Sequence, residues 1–192
     1  MLERLKEIDQ ELFLTLNSFH FPFLDFLMYW FSDRYIWFPF YGLIIAFIIL
    51  KLRWRAIHTL VAIISVIIVA DRFTSGFMKP YFQRLRPCHE ESIQDMIHMI
   101  TGCGGQYGFV SSHAANSFGL AMITWLIFRD KYPQFGLIFL WAIPVSYSRI
   151  HLGVHYPSDV LIGALIGVII AWIIYKIYKW VLQKNFIKLP VN

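Results

Sequence analysis

Residues 148–159, SRIHLGVHYPSD, place an arginine, two histidines and an aspartate between strongly apolar runs. His155 and Asp159 are four residues apart. On a continuous helix they would share a face, and a turn at Pro157 would also bring them together. A carboxylate beside an imidazole fixes its tautomer and stabilises its protonated form, which is what an activated histidine nucleophile or base requires. Arg149 adds a planar cation suited to bidentate contact with phosphate oxygens. His151 and His155 also have the spacing of a shared metal site. Gly153 and Pro157 argue against a regular helix there, however, and no Glu or third His follows at a familiar ligand spacing, so no metal is expected.

Two further stretches carry matching chemistry. KPYFQRLRP (79–87) gathers Lys79, Arg84 and Arg86 beside two prolines. A lone lysine at a membrane boundary reads as a snorkelling anchor; three cations in so short a segment read better as an anion site. FVSSHAAN (109–116) sets Ser111 and Ser112 immediately before an apolar segment. The unpaired N–H groups of a helix start attract anions. Ser111, Ser112 and His113 would thus complete a phosphate cradle begun by Lys79 and Arg86. Taken alone, the same residues are also a serine N-cap followed by an interfacial histidine.

The elements that must position these groups are membrane helices. Of 192 residues, 58% are hydrophobic and 15% charged, against about 45–50% and about 25% in soluble domains. Mean hydropathy is +0.56. The length fits one domain over 1–192, with 1–33 as an interfacial or partly embedded segment and 35–180 as the bundle. The expected class is all-α: a polytopic bundle of five clear spans over 35–50, 57–78, 113–128, 134–148 and 158–180. Small residues at Ala114, Ala115, Ser117 and Gly119 suit close helix packing. Leu2, Leu5, Ile8, Leu12 and Leu16 recur at helical spacing, predicting an amphipathic interfacial helix. Residues 20–31 read as a partly embedded helix; a sixth span over 12–31 is the alternative. The first twenty residues lack the pattern of a cleavable signal peptide.

A net charge of +5 does not point to nucleic acid, because the basic residues cluster at span ends. Lys51, Arg53, Arg55, Arg129, Lys131, Lys176, Lys179, Lys184 and Lys188 all fall on one side of alternating spans, which the positive-inside rule makes cytoplasmic. The 79–112 and 149–157 loops then meet on the opposite face, periplasmic or external for a bacterial inner membrane. Cys88 and Cys103 both lie in the first of these loops. They form a disulfide if that side is oxidising and remain free thiols otherwise.

Read together, Lys79–six residues–Arg86-Pro87, Ser111-Ser112-His113 and Ser148-Arg149–five residues–His155–three residues–Asp159 resemble the three-part signature of the type 2 phosphatidic acid phosphatases, or lipid phosphate phosphatases. The parts occur in family order across about residues 70–165. The resemblance implies that His155 attacks phosphorus and forms a phosphohistidine, Asp159 orients it, and His113 protonates the leaving group. Lys79, Arg86, Arg149, Ser111 and the backbone N–H of Ser112 would hold the phosphoryl oxygens, with no metal or other cofactor. The family's usual Pro-Ser-Gly-His is altered here, with Val110 for Pro and Ser112 for Gly.

The implied activity is hydrolysis of a lipid phosphate monoester or diphosphate. Candidate substrates are undecaprenyl diphosphate, lipid A phosphate and phosphatidylglycerophosphate, with the bilayer as partner and no obligate protein partner. A non-catalytic head-group binding or transport protein would explain the cations but not the His155–Asp159 pair beside His113. A vanadate haloperoxidase is disfavoured by the small membrane chain. Outside the signature, His151 is expected at the interface, with substrate contact as the alternative, and His89 and His98 in solvent; Asp71 and Arg72, ionisable groups near a span end, are functional candidates, with an ion pair or interfacial placement as the alternatives. Glu90, Glu91 and Asp95 would flank the head-group mouth.

Overall fold

The computed structural model describes residues 2–186; Lys188, grouped above with the C-terminal basic residues, lies outside them. Its elements are helical, as the composition predicts. α1 (Leu2–Ser18) and α2 (Pro22–Ser32) precede α3 (Phe38–Leu52) and α4 (Ala56–Asp71). A π-helical stretch, Arg72–Met78, carries α4 into the short α5 (Lys79–Phe82). After the long loop come α6 (Ser112–Phe128), α7 (Ile138–His151) and α8 (Pro157–Phe186).

Among the described residues, two stretches are long and apolar enough to cross a bilayer: Tyr35–Phe82, mean hydropathy 1.9, and Pro157–Lys184, mean hydropathy 2.5. The first is folded back on itself. Its helices break at Arg53–Arg55, and Trp37 near one end and Lys79 near the other line the same cavity. α6 and α7 are shorter, at 17 and 14 residues.

α6 and α8 form the tight centre of the bundle. A Cβ added to Gly167 of α8 would lie 2.1 Å from the Ala115 carbonyl oxygen of α6, so the small residues of α6 do bring two backbones into contact. Around this pair, Leu52, Ala56, Phe128, Tyr132 and Ile138 join one apolar cluster. The α3–α4 and α6–α7 turns, which carry Arg53, Arg55, Arg129 and Lys131, therefore share one end. The loops bearing the candidate site share the other.

The N-terminal segment is two helices parted at Phe19–Phe21, so residues 12–31 do not form one span. α1 is helical over the expected residues, and its stripe of Leu5, Ile8 and Leu12 stays exposed, as an interfacial helix requires. It packs on the bundle by another face. Phe13 and Asn17 are buried, and with Asp9 they repeat every four residues along one side. Asn17 ties three segments together: its side-chain amide donates to the carbonyls of His98 and His151, and its oxygen accepts from the His98 N–H.

Candidate active site

The turn between α7 and α8 dictates how its arginine and histidine meet. Gly153 adopts φ +76°, a left-handed conformation that favours glycine. A Cβ there would also strike Ile97 at 2.7 Å. The turn sends the N–H groups of Val154 and His155 back to the Arg149 carbonyl, at 3.1 and 3.2 Å, and so sets His155 beside Arg149. Pro157 then opens α8, where its missing N–H costs nothing, and Asp159 falls in the first turn. Its Oδ2 lies 3.4 Å from His155 Nδ1 and accepts the Tyr156 N–H at 3.1 Å. His155 and Asp159 are both buried, and the Gly108 carbonyl also accepts from the imidazole. Burial, with Arg149, Arg86 and Lys79 nearby, holds the His155 pKa well below the ordinary histidine range, which favours the neutral ring.

The long loop delivers Arg86. Cys88 and Cys103 are disulfide-bonded. The strap they close puts the Cys103 carbonyl 2.9 Å from Arg86 Nη1, while Nε donates to the Tyr107 carbonyl at 3.3 Å. Half of the guanidinium is thus fixed by backbone and the rest faces the cavity. From α4, the π-helical stretch shifts the register of the helix before Lys79. It also places Thr74 and Ser75 at 2.9 and 2.8 Å from the Ser112 hydroxyl. This accommodates Ser112 where the family pattern has Gly: the side chain is anchored on the π-helical stretch.

Lys79, Arg86, Ser112, His113, Arg149 and His155 all line one cavity of about 530 Å³. Two expected residues stand behind it. Asp159 backs His155. Ser111 is fully buried, caps α6 by accepting from the Ala114 N–H at 3.4 Å, and gives its own N–H to the Asp159 carbonyl. The cavity continues away from the cations between α3 and α4, along Ile44, Ile45, Ile48, Leu60, Ile63 and Ile64. One side chain at the other wall, Ser32 of α2, accepts a hydrogen bond from Arg149 Nη1.

Several side chains stand elsewhere than expected. His151 is buried rather than interfacial, with Nε2 2.8 Å from Asp25 Oδ1. His98 is half-buried rather than solvated: its Nε2 meets Asp25 Oδ2 at 3.1 Å, and its ring stacks on His20 at 3.7 Å. His89 is likewise half-buried. Asp71, for which a functional placement is one of the expected readings, lines the cavity. Arg84, grouped by charge with Lys79 and Arg86, is taken up by Asp9 and Asp159. One signal was available for Asp25, a lone acid in the aromatic stretch PFLDFLMYWF, since isolated acids in apolar helices mark specific contacts. Nothing separates Asp9 in sequence from the other acids of α1.

The family model described as the PAP2 superfamily matches residues 55–183, which include every one of the cavity-lining cations and histidines named above. The chain belongs to the PAP2 superfamily. It is similar to the lipid A 4'-phosphatase of Bacteroides thetaiotaomicron, 41% identical over 180 residues that cover 92% of this chain and 80% of that one. It resembles the crystal structure of Aquifex aeolicus LpxE at a TM-score of 0.62 and 26% identity, over 86% of this chain and 93% of that one. A transmembrane PAP2 type phosphatidylglycerolphosphate phosphatase from Bacillus subtilis matches at TM-score 0.70 and 16% identity, over 92% and 87%; that likeness speaks for the fold. This PAP2 chain is a phosphoric-ester hydrolase, a membrane lipid phosphatase.

Proposed function

We propose that this phosphatase removes phosphate from a lipid A-type head group at the outer face of the bacterial inner membrane, through a phosphohistidine on His155 and without a metal ion. The observation that carries the reading is the two-ended cavity, with cations and histidines at one end and the branched aliphatic side chains of α3 and α4 at the other. Such a site accepts a phosphate and an acyl chain of one molecule. The relative that is 41% identical bears the name lipid A 4'-phosphatase, which favours that head group over undecaprenyl diphosphate or phosphatidylglycerophosphate. Five passes, α3, α4–α5, α6, α7 and α8, cross the bilayer, and α1 and α2 lie at the outer interface. Arg53, Arg55, Arg129 and Lys131, at the end away from the site, make that end cytoplasmic.

In the proposed reaction Lys79, Arg86 and Arg149 neutralise the phosphoryl oxygens and align phosphorus with His155. With Nδ1 turned to Asp159, Nε2 attacks; the N–P bond forms as the P–O ester bond breaks. His113 gives its proton to the departing lipid oxygen, a step worth ~10²–10⁴-fold. Water then attacks the phosphohistidine, His113 takes up a proton, and inorganic phosphate leaves with His155 restored. Asp159 holds the ring in one orientation throughout.

The test is phosphate release by detergent-purified protein, in chelator, from lipid A, undecaprenyl diphosphate and phosphatidylglycerophosphate. Fastest release from lipid A, unchanged by chelator, is the expected result. Loss of activity in chelator overturns the metal-free mechanism. Faster release from either other lipid overturns the substrate assignment. Lipid retention with no release from any of the three favours a head-group binding protein.

A further inference from the structure

Helix α1 lies outside residues 55–183, the part matched by the family model, yet one of its side chains reaches the inner side of the site. Arg84 sits between two carboxylates. Its Nη2 donates to Asp9 Oδ2 at 2.6 Å and its Nη1 to Asp159 Oδ1 at 2.9 Å. Nη1 also reaches Ser158 Oγ at 2.7 Å, and the guanidinium lies over the Tyr156 ring, 4.0 Å from its centroid. Asp9 does more than pair with Arg84. It accepts the Ser158 N–H at 3.0 Å and the Ser158 hydroxyl, so it caps the first turn of α8 from another helix. Its side chain is 11% exposed, far below the acids around it on α1.

We infer that Asp9 is a positioning residue for catalysis, which holds Arg84 and the first turn of α8 so that Asp159 stays aimed at His155. The inference rests on the reading above, in which His155 is the nucleophile and Asp159 orients it. Asp159 is wholly buried, and a buried carboxylate needs a cation with fixed geometry. Arg84 supplies the charge, but an arginine is long and held by its ends. Tyr156 supports the plane of the guanidinium; Asp9 fixes its outer nitrogen. Sharing Arg84 between two carboxylates also leaves the group as a whole negative, which keeps Asp159 a strong acceptor toward the imidazole. Without Asp9, Arg84 is free to close on Asp159 or to swing outward, and the unpaired Ser158 N–H loosens the turn that carries Asp159.

The experiment is steady-state kinetics on the full-length protein with a soluble or micellar lipid phosphate. Asp9→Asn keeps an acceptor for Ser158 and is the mildest variant; Asp9→Ala and Arg84→Gln accompany it. The expected result is a kcat about ten- to a hundredfold lower for Asp9→Ala, the scale of one lost charge-assisted hydrogen bond. KM should stay within about twofold, since Asp9 does not touch the cavity, and Asp9→Asn should fall between. The double variant Asp9→Ala/Arg84→Gln should lose no more than Arg84→Gln alone, as expected of residues acting in one chain. A folded Asp9→Asn with unchanged kcat overturns the inference, whatever its melting temperature; so does a loss confined to KM. Asp159→Asn separates the two levels. If it is as active as the wild type, the reading of His155 and Asp159 fails first; if it is crippled while Asp9→Asn is not, the inference about Asp9 alone fails.

Discussion

His151 and His155 stand four residues apart, and one nitrogen of each ring faces a carboxylate, yet the two pairs serve opposite ends. His155 meets Asp159 on one edge and turns toward a cavity shared with Lys79, Arg86, Arg149 and His113. His151 meets Asp25 on one edge, and its remaining nitrogen, Nδ1, is buried without a partner among the described residues. Asp25 in turn holds His98, so the second pair staples α2, the disulfide loop and α7 together. The pairing is the same; what differs is the surroundings of the free edge. In the proposed reaction a histidine–carboxylate pair becomes reactive where that edge opens on cations that gather an anion, and is a structural tie where it is closed.

The largest test of this contrast is the alanine pair. His155→Ala should cut phosphate release by roughly 10⁴-fold or more with little change in melting temperature, as for the loss of a nucleophile. His151→Ala should keep kcat within about tenfold and lower the melting temperature instead. Comparable kcat losses in both would erase the distinction.

Next in size is the strap that frames Arg86. Replacing Cys88 and Cys103 by serine should cost about 3 kcal/mol of stability for a loop of this length, and should raise KM, because the Cys103 carbonyl no longer fixes Arg86. Denaturation and kinetics on the same preparation read both. An unchanged KM would mean that Arg86 is held without the strap.

Asp25→Ala should cost about 1–3 kcal/mol, the penalty for leaving the buried His151 nitrogen unpaired, with kcat within a few-fold of the wild type. A kcat loss exceeding the stability loss would move the Asp25 pair from tie to machinery.

The finest test is pH. The cations and burial that disfavour a charged His155 lower its proton affinity. The neutral form of this proposed nucleophile is therefore favoured as pH falls through the ordinary imidazole value of 6.5, and the acid limb of kcat/KM should appear only below it. A limb at or above 6.5 would show a ring whose charged form is stabilised.

The sequence carried the all-helical class and the cluster of groups on one cavity, because apolar runs, Gly153, Pro157 and the cations are local signals. Lys79, Arg86, Ser112, His113, Arg149 and His155 were legible on that basis. The supporting contacts were not. Asp9 and Arg84 are separated by 75 residues, and Asp25 and His151 by 126; no periodicity encodes such pairings. The leucine stripe of α1 made its polar side look like a solvated face, whereas Asp9, Phe13 and Asn17 lie on the packed side. Charge alone likewise made Arg84 look equivalent to Arg86, although its partners differ.

The gap between α3 and α4 has a kinetic consequence. Ile45 and Ile64 line the cavity and are 44% and 55% exposed, so the cavity communicates sideways with the hydrocarbon. A substrate arriving by that route keeps its tails in an oily phase and avoids the ~0.8 kcal/mol per methylene that extraction into water would require. Velocity then follows the mole fraction of substrate in the two-dimensional lipid phase, and inert detergent added at constant total substrate slows turnover by surface dilution.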